Sequence, residues 1–167
     1  MICRLLFGSA CTLVSTFTFT TSAMVIDLPS AIAEDPVAEG SVSNNCDFFN
    51  LVTGELAVNN VGTVLNSSDP NGTSGRVSLD CTGDANLKIS KPKQNIVAGE
   101  TPFSDEELTA TATSSDFGGI SISSGDSGAT IPGDSIGEIK VDMQADKGSE
   151  KILPGTYSFT VTLTATP

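Results

Sequence analysis

The last stretch of the chain limits the fold more than any other. Tyr157, Phe159, Val161, Leu163 and Ala165 alternate with Ser158, Thr160, Thr162, Thr164 and Thr166. A period of two places one set on each face of a pleated strand, so this segment predicts a β-strand with one buried face and one threonine-lined face. Ile139, Val141 and Met143 repeat the pattern against Lys140, Asp142 and Gln144. Val77, Leu79 and Cys81 form a third frame, with Leu87 and Ile89 answering it across Thr82-Gly83-Asp84. Weaker frames lie at Leu56–Leu65, Leu108–Ala112 and Ile120–Ile122. Between them stand the turn sequences Asp69-Pro70-Asn71-Gly72, Phe117-Gly118-Gly119, Pro132-Gly133-Asp134 and Pro154-Gly155. Seven or so short strands separated by frequent turns predict an all-β, antiparallel β-sandwich. The one helix signal, Ser104-Asp105-Glu106-Glu107, has the form of a capping box. The β-branched Thr109, Thr111 and Thr113 follow it, which allows at most one helical turn.

The N-terminal fifth reads as an export signal. Arg4 is the only charge before a mostly uncharged stretch from Leu5 to Ile26, and Ala31-Ile32-Ala33 offers the small-x-small pattern of a cleavage site. Thr21-Ser22-Ala23 offers a second. The predicted organisation is a signal peptide over 1–33 (alternative cut after 23), a flexible N-terminal extension over 34–45 and one domain over 46–167. Such a chain keeps no stable membrane insertion once the signal is removed and is expected in the periplasm, on the cell surface or outside the cell. Cys3 and Cys11 leave with the signal, whereas Cys46 and Cys81 stay. Two cysteines in an exported chain most simply form one disulfide. Metal ligation is the rival reading, without histidine or CxxC spacing to support it.

Charge and missing residue types exclude several functions. The chain has 8 Lys+Arg against 20 Asp+Glu and a net charge of −12, the wrong sign for covering phosphates, so no nucleic acid is expected as a partner. The absence of histidine removes the Ser-His-Asp triad and imidazole ligands. No G-x-S-x-G and no phosphate-cradling glycine loop occurs. The expectation is therefore a protein that is not an enzyme, with no cofactor and no metal. Asp105, Glu106, Glu107, Asp126 and Asp134 lie in turn-rich sequence, where solvated turns explain them better than a calcium site or a glycosidase pair. The six aromatics after the signal, Phe48, Phe49, Phe103, Phe117, Tyr157 and Phe159, include no tryptophan for a sugar platform. Phe48 and Phe49 are expected to pack over the disulfide.

Two segments carry a family resemblance. Gly75-Arg76-Val77-Ser78-Leu79-Asp80-Cys81-Thr82-Gly83 follows a "V-x-V-x-C-T-x-G" strand at Val77, Cys81 and Thr82, with Leu79 in place of the second valine and Gly83 one position early. Pro154-Gly155-Thr156-Tyr157-Ser158-Phe159-Thr160-Val161-Thr162-Leu163 follows a closing "P-x-G-x-Y-x-[DF]-x-[VI]-x-[VL]" strand from Gly155 onward, with Pro154 one position nearer the glycine than the pattern has it. Over Cys46 to Leu163 the chain resembles the spore coat protein U family, whose members include subunits of archaic chaperone–usher pili. The resemblance implies an immunoglobulin-like, pilin-like sandwich that lacks one strand, with Cys46 paired to Cys81. It further implies assembly by strand donation, with other pilus-type subunits, a periplasmic chaperone and an outer-membrane usher as partners.

Strand donation requires alternating apolar residues ahead of Cys46. A cut after Ala33 leaves only Val37, Ala38 and Val42, whereas a cut after Ala23 keeps Met24, Ile26 and Leu28 as a donor. Tyr157, Phe159, Val161 and Leu163 are the expected core-facing positions of the last strand and its assembly edge. The functional expectation is an exported structural subunit of a cell-surface fibre. The alternative is a self-contained cell-envelope β-sandwich module that binds calcium or glycan.

Overall fold

The computed structural model describes residues 13–19, 45–97 and 99–167. Among these residues twelve strands follow in chain order: β1 (Leu13–Phe19), β2 (Cys46–Val52), β3 (Ala57–Val58), β4 (Val64–Asn66), β5 (Gly75–Cys81), β6 (Ala85–Ile89), β7 (Lys93–Gln94), β8 (Leu108–Ser114), β9 (Ile120–Ser123), β10 (Ala129–Ile131), β11 (Ser135–Asp146) and β12 (Phe159–Thr166). All pairings are antiparallel, and the described residues contain no helix.

One sheet runs β1-β12-β6-β10, with β7 continuing along β12 beyond β6. The other is built on β11. Its first half pairs with β5, and β5 with β2; its second half pairs with β8, and β8 with β9; β4 and β3 continue alongside β11 past β5. Alternation dictates which faces meet. β12 is buried at Phe159, Val161, Leu163 and Ala165, β6 at Ala85, Leu87 and Ile89, and β10 at Ile131. From the other sheet come Val77, Leu79, Cys81, Leu108, Ala110, Ala112, Ile122, Ile139, Val141, Met143 and Ala145. These residues form one core, so the chain is an antiparallel β-sandwich.

Val77, Leu79 and Cys81 do not face Leu87 and Ile89 within a hairpin. β5 and β6 belong to opposite sheets, and Thr82-Gly83-Asp84 carries the chain across the sandwich. More strands form than the seven or so expected, because two- and three-residue strands pair inside turn-rich sequence. The Leu56–Leu65 frame is split in this way: the Asn59 side chain accepts the amides of Gly62 at 2.8 Å and Thr63 at 2.9 Å and closes a turn between β3 and β4. Ser104 to Glu107 makes a turn and no helix. It keeps the capping-box contact, with the Ser104 amide donating to Glu107 Oε2 at 2.7 Å. The β8–β9 loop folds inward. Buried Phe117 sits over Gly137, where a Cβ would come within 2.6 Å of Asp116 Cβ. Phe49 departs from expectation: Phe48 packs on the core, but Phe49, one residue on, takes the opposite face and is 37% exposed.

Cys46 and Cys81 form the disulfide, joining directly opposed residues of β2 and β5 with their Cα atoms 4.1 Å apart. Both are almost fully buried. Closing a loop of 35 residues restricts the unfolded chain by about 4 kcal/mol in the chain-entropy model. The Cys46→Ala/Cys81→Ala double variant is therefore expected to lose about 2–5 kcal/mol in urea unfolding relative to the oxidised protein. An unchanged midpoint would mean that the cross-link contributes nothing to the fold.

Candidate strand-acceptor edge

The sequence puts the expected assembly edge on the last strand. β12 carries Phe159, Val161, Leu163 and Ala165 on its buried face and threonines on the other. Its inner edge is fully engaged. Leu163 to Thr166 pair with Ile89 to Asn86, and Phe159 and Thr160 pair with Gln94 and Lys93. Between these two pairings, the Thr162 amide donates to Ser90 Oγ at 2.9 Å and its carbonyl accepts the Ser90 amide at 2.9 Å. In an antiparallel ladder the N–H and C=O of one residue point the same way, and neighbouring residues alternate. The backbone groups of Phe159, Val161, Leu163 and Ala165 therefore face the opposite edge.

β1 occupies that edge. It runs antiparallel to β12 without a break, from Leu13 opposite Ala165 to Phe19 opposite Phe159. It also approaches β2, the border strand of the other sheet. β1 lies inside the stretch read as an export signal. The proposed donor residues Met24, Ile26 and Leu28 lie outside the described residues, as do both candidate cleavage sites and the extension through residue 44.

The edge that β1 covers is unlike the other borders. Among the described residues, β10 has three residues and β3 two, β9 has four, and β2 is bulged between Phe49 and Val52, where Asn50 takes φ 53°. Short and bulged strands are the usual ways of blunting an edge. β12 is eight residues long, regular, and has no lysine, proline or other charge. An edge of that kind templates another strand.

The start of β12 is clamped by groups that periodicity does not reveal. The Phe103 ring meets Tyr157 edge-on at 6.0 Å and Phe159 at 5.7 Å between centroids. Gln94, buried beside Phe159, donates to the Thr101 carbonyl at 3.0 Å and accepts the Phe103 amide at 2.9 Å. The Tyr157 hydroxyl donates to the Leu153 carbonyl at 2.8 Å and accepts the Thr101 amide at 3.0 Å. Tyr157 itself is half-buried, just before the strand, whereas Phe159, Val161 and Leu163 are fully buried. A tyrosine two residues after a Pro-Gly turn is the available clue to this clamp; nothing in the local sequence signals Gln94 or Phe103.

Several turn carboxylates hold backbone amides. Asp84 accepts from Gly133 at 2.8 Å, Asp116 from Glu138 at 2.8 Å, Asp126 from Ser123 at 2.7 Å and Asp146 from Gly148 at 2.7 Å. Among the described residues, no three His, Cys, Asp or Glu side chains gather as a metal-binding group. Glu107 holds its carboxyl below the ordinary value of 4.5, first through the Ser104 amide and then through Lys147, whose ammonium lies 2.9 Å away; desolvation works against both. Lys147 also lies 5.1 Å from the centre of the Phe103 ring, so this pair braces the same clamp. At Asp142 burial favours the neutral form. Hydrogen bonds from Ser74, Lys140, Ser68 and Ser67 outweigh it and leave the pKa lowered.

No known protein family, curated protein or solved structure matches the chain.

Two outcomes follow from this geometry. Tyr157→Phe removes a hydroxyl that serves two backbone groups and should cost about 1–2 kcal/mol in urea unfolding; an unchanged midpoint would show that the clamp carries no stability. A depressed carboxyl pKa stabilises the fold above its unfolded value, and that contribution fades as pH falls through the folded value. The stability gap between the native protein and Glu107→Gln should therefore be largest above about pH 4.5 and shrink as pH falls below it. A gap that does not vary with pH would contradict the assignment.

Proposed function

We propose that the chain is an exported structural subunit of a cell-surface fibre that assembles when one subunit's strand completes another's sandwich. The observation that supports this is the outer edge of β12: long, regular, uncharged and covered by a segment from the start of the chain. Both cleavage sites read from the sequence, after Ala23 and after Ala33, lie beyond β1. Export with either cut takes β1 away. It leaves the N–H and C=O groups of Val161, Leu163 and Ala165 without a partner and opens the core beside them.

β-Augmentation fits such an edge. Main-chain hydrogen bonds give affinity, and alternate apolar side chains of the incoming strand fill the cleft. Met24, Ile26 and Leu28 of a neighbouring copy supply that alternation if the cut falls after Ala23. The Tyr157 hydroxyl bonded to backbone four residues upstream is the type of corner that immunoglobulin-like sandwiches make at the start of a late strand. This agrees with an immunoglobulin-like, pilin-like domain related to the spore coat protein U subunits. In that reading a periplasmic chaperone and an outer-membrane usher handle the incomplete subunit, and its strong net negative charge keeps it soluble before assembly.

Protein isolated from the surface of its own cells provides the test. The mature N-terminus should fall at Met24, and unheated detergent gels should show a ladder of multiples that boiling collapses to one monomer band. A mature start at Glu34 together with a stable, soluble monomer would overturn strand donation.

A further inference from the structure

We infer that Leu13–Phe19 is a stand-in strand: the unprocessed chain closes its own sheet with β1, and proteolytic removal of β1 opens the β12 edge to the next subunit. This rests on the proposed fibre function and adds how assembly is held back. Three observations carry it. The pairing is complete, with each residue of β1 opposed to one of β12 from Phe159 to Ala165, so a second strand has no place while β1 is seated. Among the described residues, β1 is also the terminal strand of its sheet. Its departure breaks no other pairing, and β12-β6-β10 remains contiguous. Finally, both sequence-read cleavage sites lie between β1 and Cys46, so hydrolysis of one peptide bond there, with water added across the C–N bond, turns a tethered strand into a separate peptide. A tethered strand competes at high effective concentration, whereas a released one competes only at its bulk concentration. The cut therefore converts a self-closed monomer into an acceptor without altering the sandwich.

The register supplies a lock to test this. Thr162 turns its backbone groups toward Ser90, so Thr16 and Thr162 form a non-hydrogen-bonded pair, whose close Cα spacing suits a cross-strand disulfide. The full chain carrying Thr16→Cys and Thr162→Cys, with Cys3→Ser and Cys11→Ser to prevent mispairing, is refolded under oxidising conditions. A specific protease site is inserted after Phe19. Mass spectrometry of digests reports the new disulfide, and light scattering reports assembly.

The expected result is a monomer in which the two introduced thiols, one on β1 and one on β12, are almost completely cross-linked. That monomer should stay monomeric after cutting and form multimers once mild reductant opens the engineered bond, with Cys46–Cys81 checked to be intact. Failure of the cross-link to form, or equal assembly of locked and unlocked chains, would overturn the stand-in strand while leaving the fibre reading in place. A lock that forms, followed by a cut and unlocked chain that remains a monomer even with excess peptide spanning Ser22–Ser30, would overturn the fibre reading itself. An uncut Phe17→Pro chain gives a second check. It loses one N–H of the β1 ladder and should multimerise without proteolysis; a Phe17→Pro chain that stays monomeric like the parent would also count against the stand-in strand.

Discussion

The structure depends on one unmet demand. β12 spends its inner edge on β6, β7 and Ser90, and its apolar face on the shared core, yet its outer edge still presents a regular row of backbone donors and acceptors. A buried strand with an open edge exposes the cleft beside it, and folded proteins ordinarily blunt, cover or pair such an edge. The borders at β2, β3, β9 and β10 are blunted by bulging or brevity. β12 is not, and β1 lies along it instead. The remaining architecture makes β12 rigid enough for this edge to matter.

That rigidity is distributed. The Phe103, Tyr157 and Phe159 rings, Gln94 and the Glu107–Lys147 pair hold the start of the strand. β6 holds its end, and the disulfide fastens β2 and β5 at the border of the other sheet that β1 approaches. An acceptor whose geometry is preset loses little entropy when a strand arrives, so the cost of association falls mainly on the incoming segment.

Much of the sandwich is legible in the sequence because a period of two reports directly which face is buried. The frames in β5, β11 and β12 identify their core residues correctly. Neighbours are not legible: alternation shows which side of a strand is wet but not which strand lies beside it, so the turn between β5 and β6 does not reveal that they belong to different sheets. The clamp is hidden for a similar reason, since Gln94 and Phe103 lie in turn-rich sequence without a repeat. β1 escapes notice because an uncharged apolar run near an N-terminus satisfies an export signal and a strand equally well. The distinguishing mark is present. Leu13-Val14-Ser15-Thr16-Phe17-Thr18-Phe19 is rich in β-branched and aromatic residues rather than the leucine and alanine that favour helix.

On this account the outer edge of β12 is always paired, by β1 before processing and by another subunit's strand afterward. Amide hydrogen exchange resolved at single residues, on mature protein taken from the cell surface, tests this most directly. Val161, Leu163 and Ala165 should exchange as slowly as Thr162 and Thr164, whose amides face the inner edge. Fast exchange at Val161, Leu163 and Ala165 beside slow exchange at Thr162 and Thr164 would show a bare edge in the functional protein and contradict it.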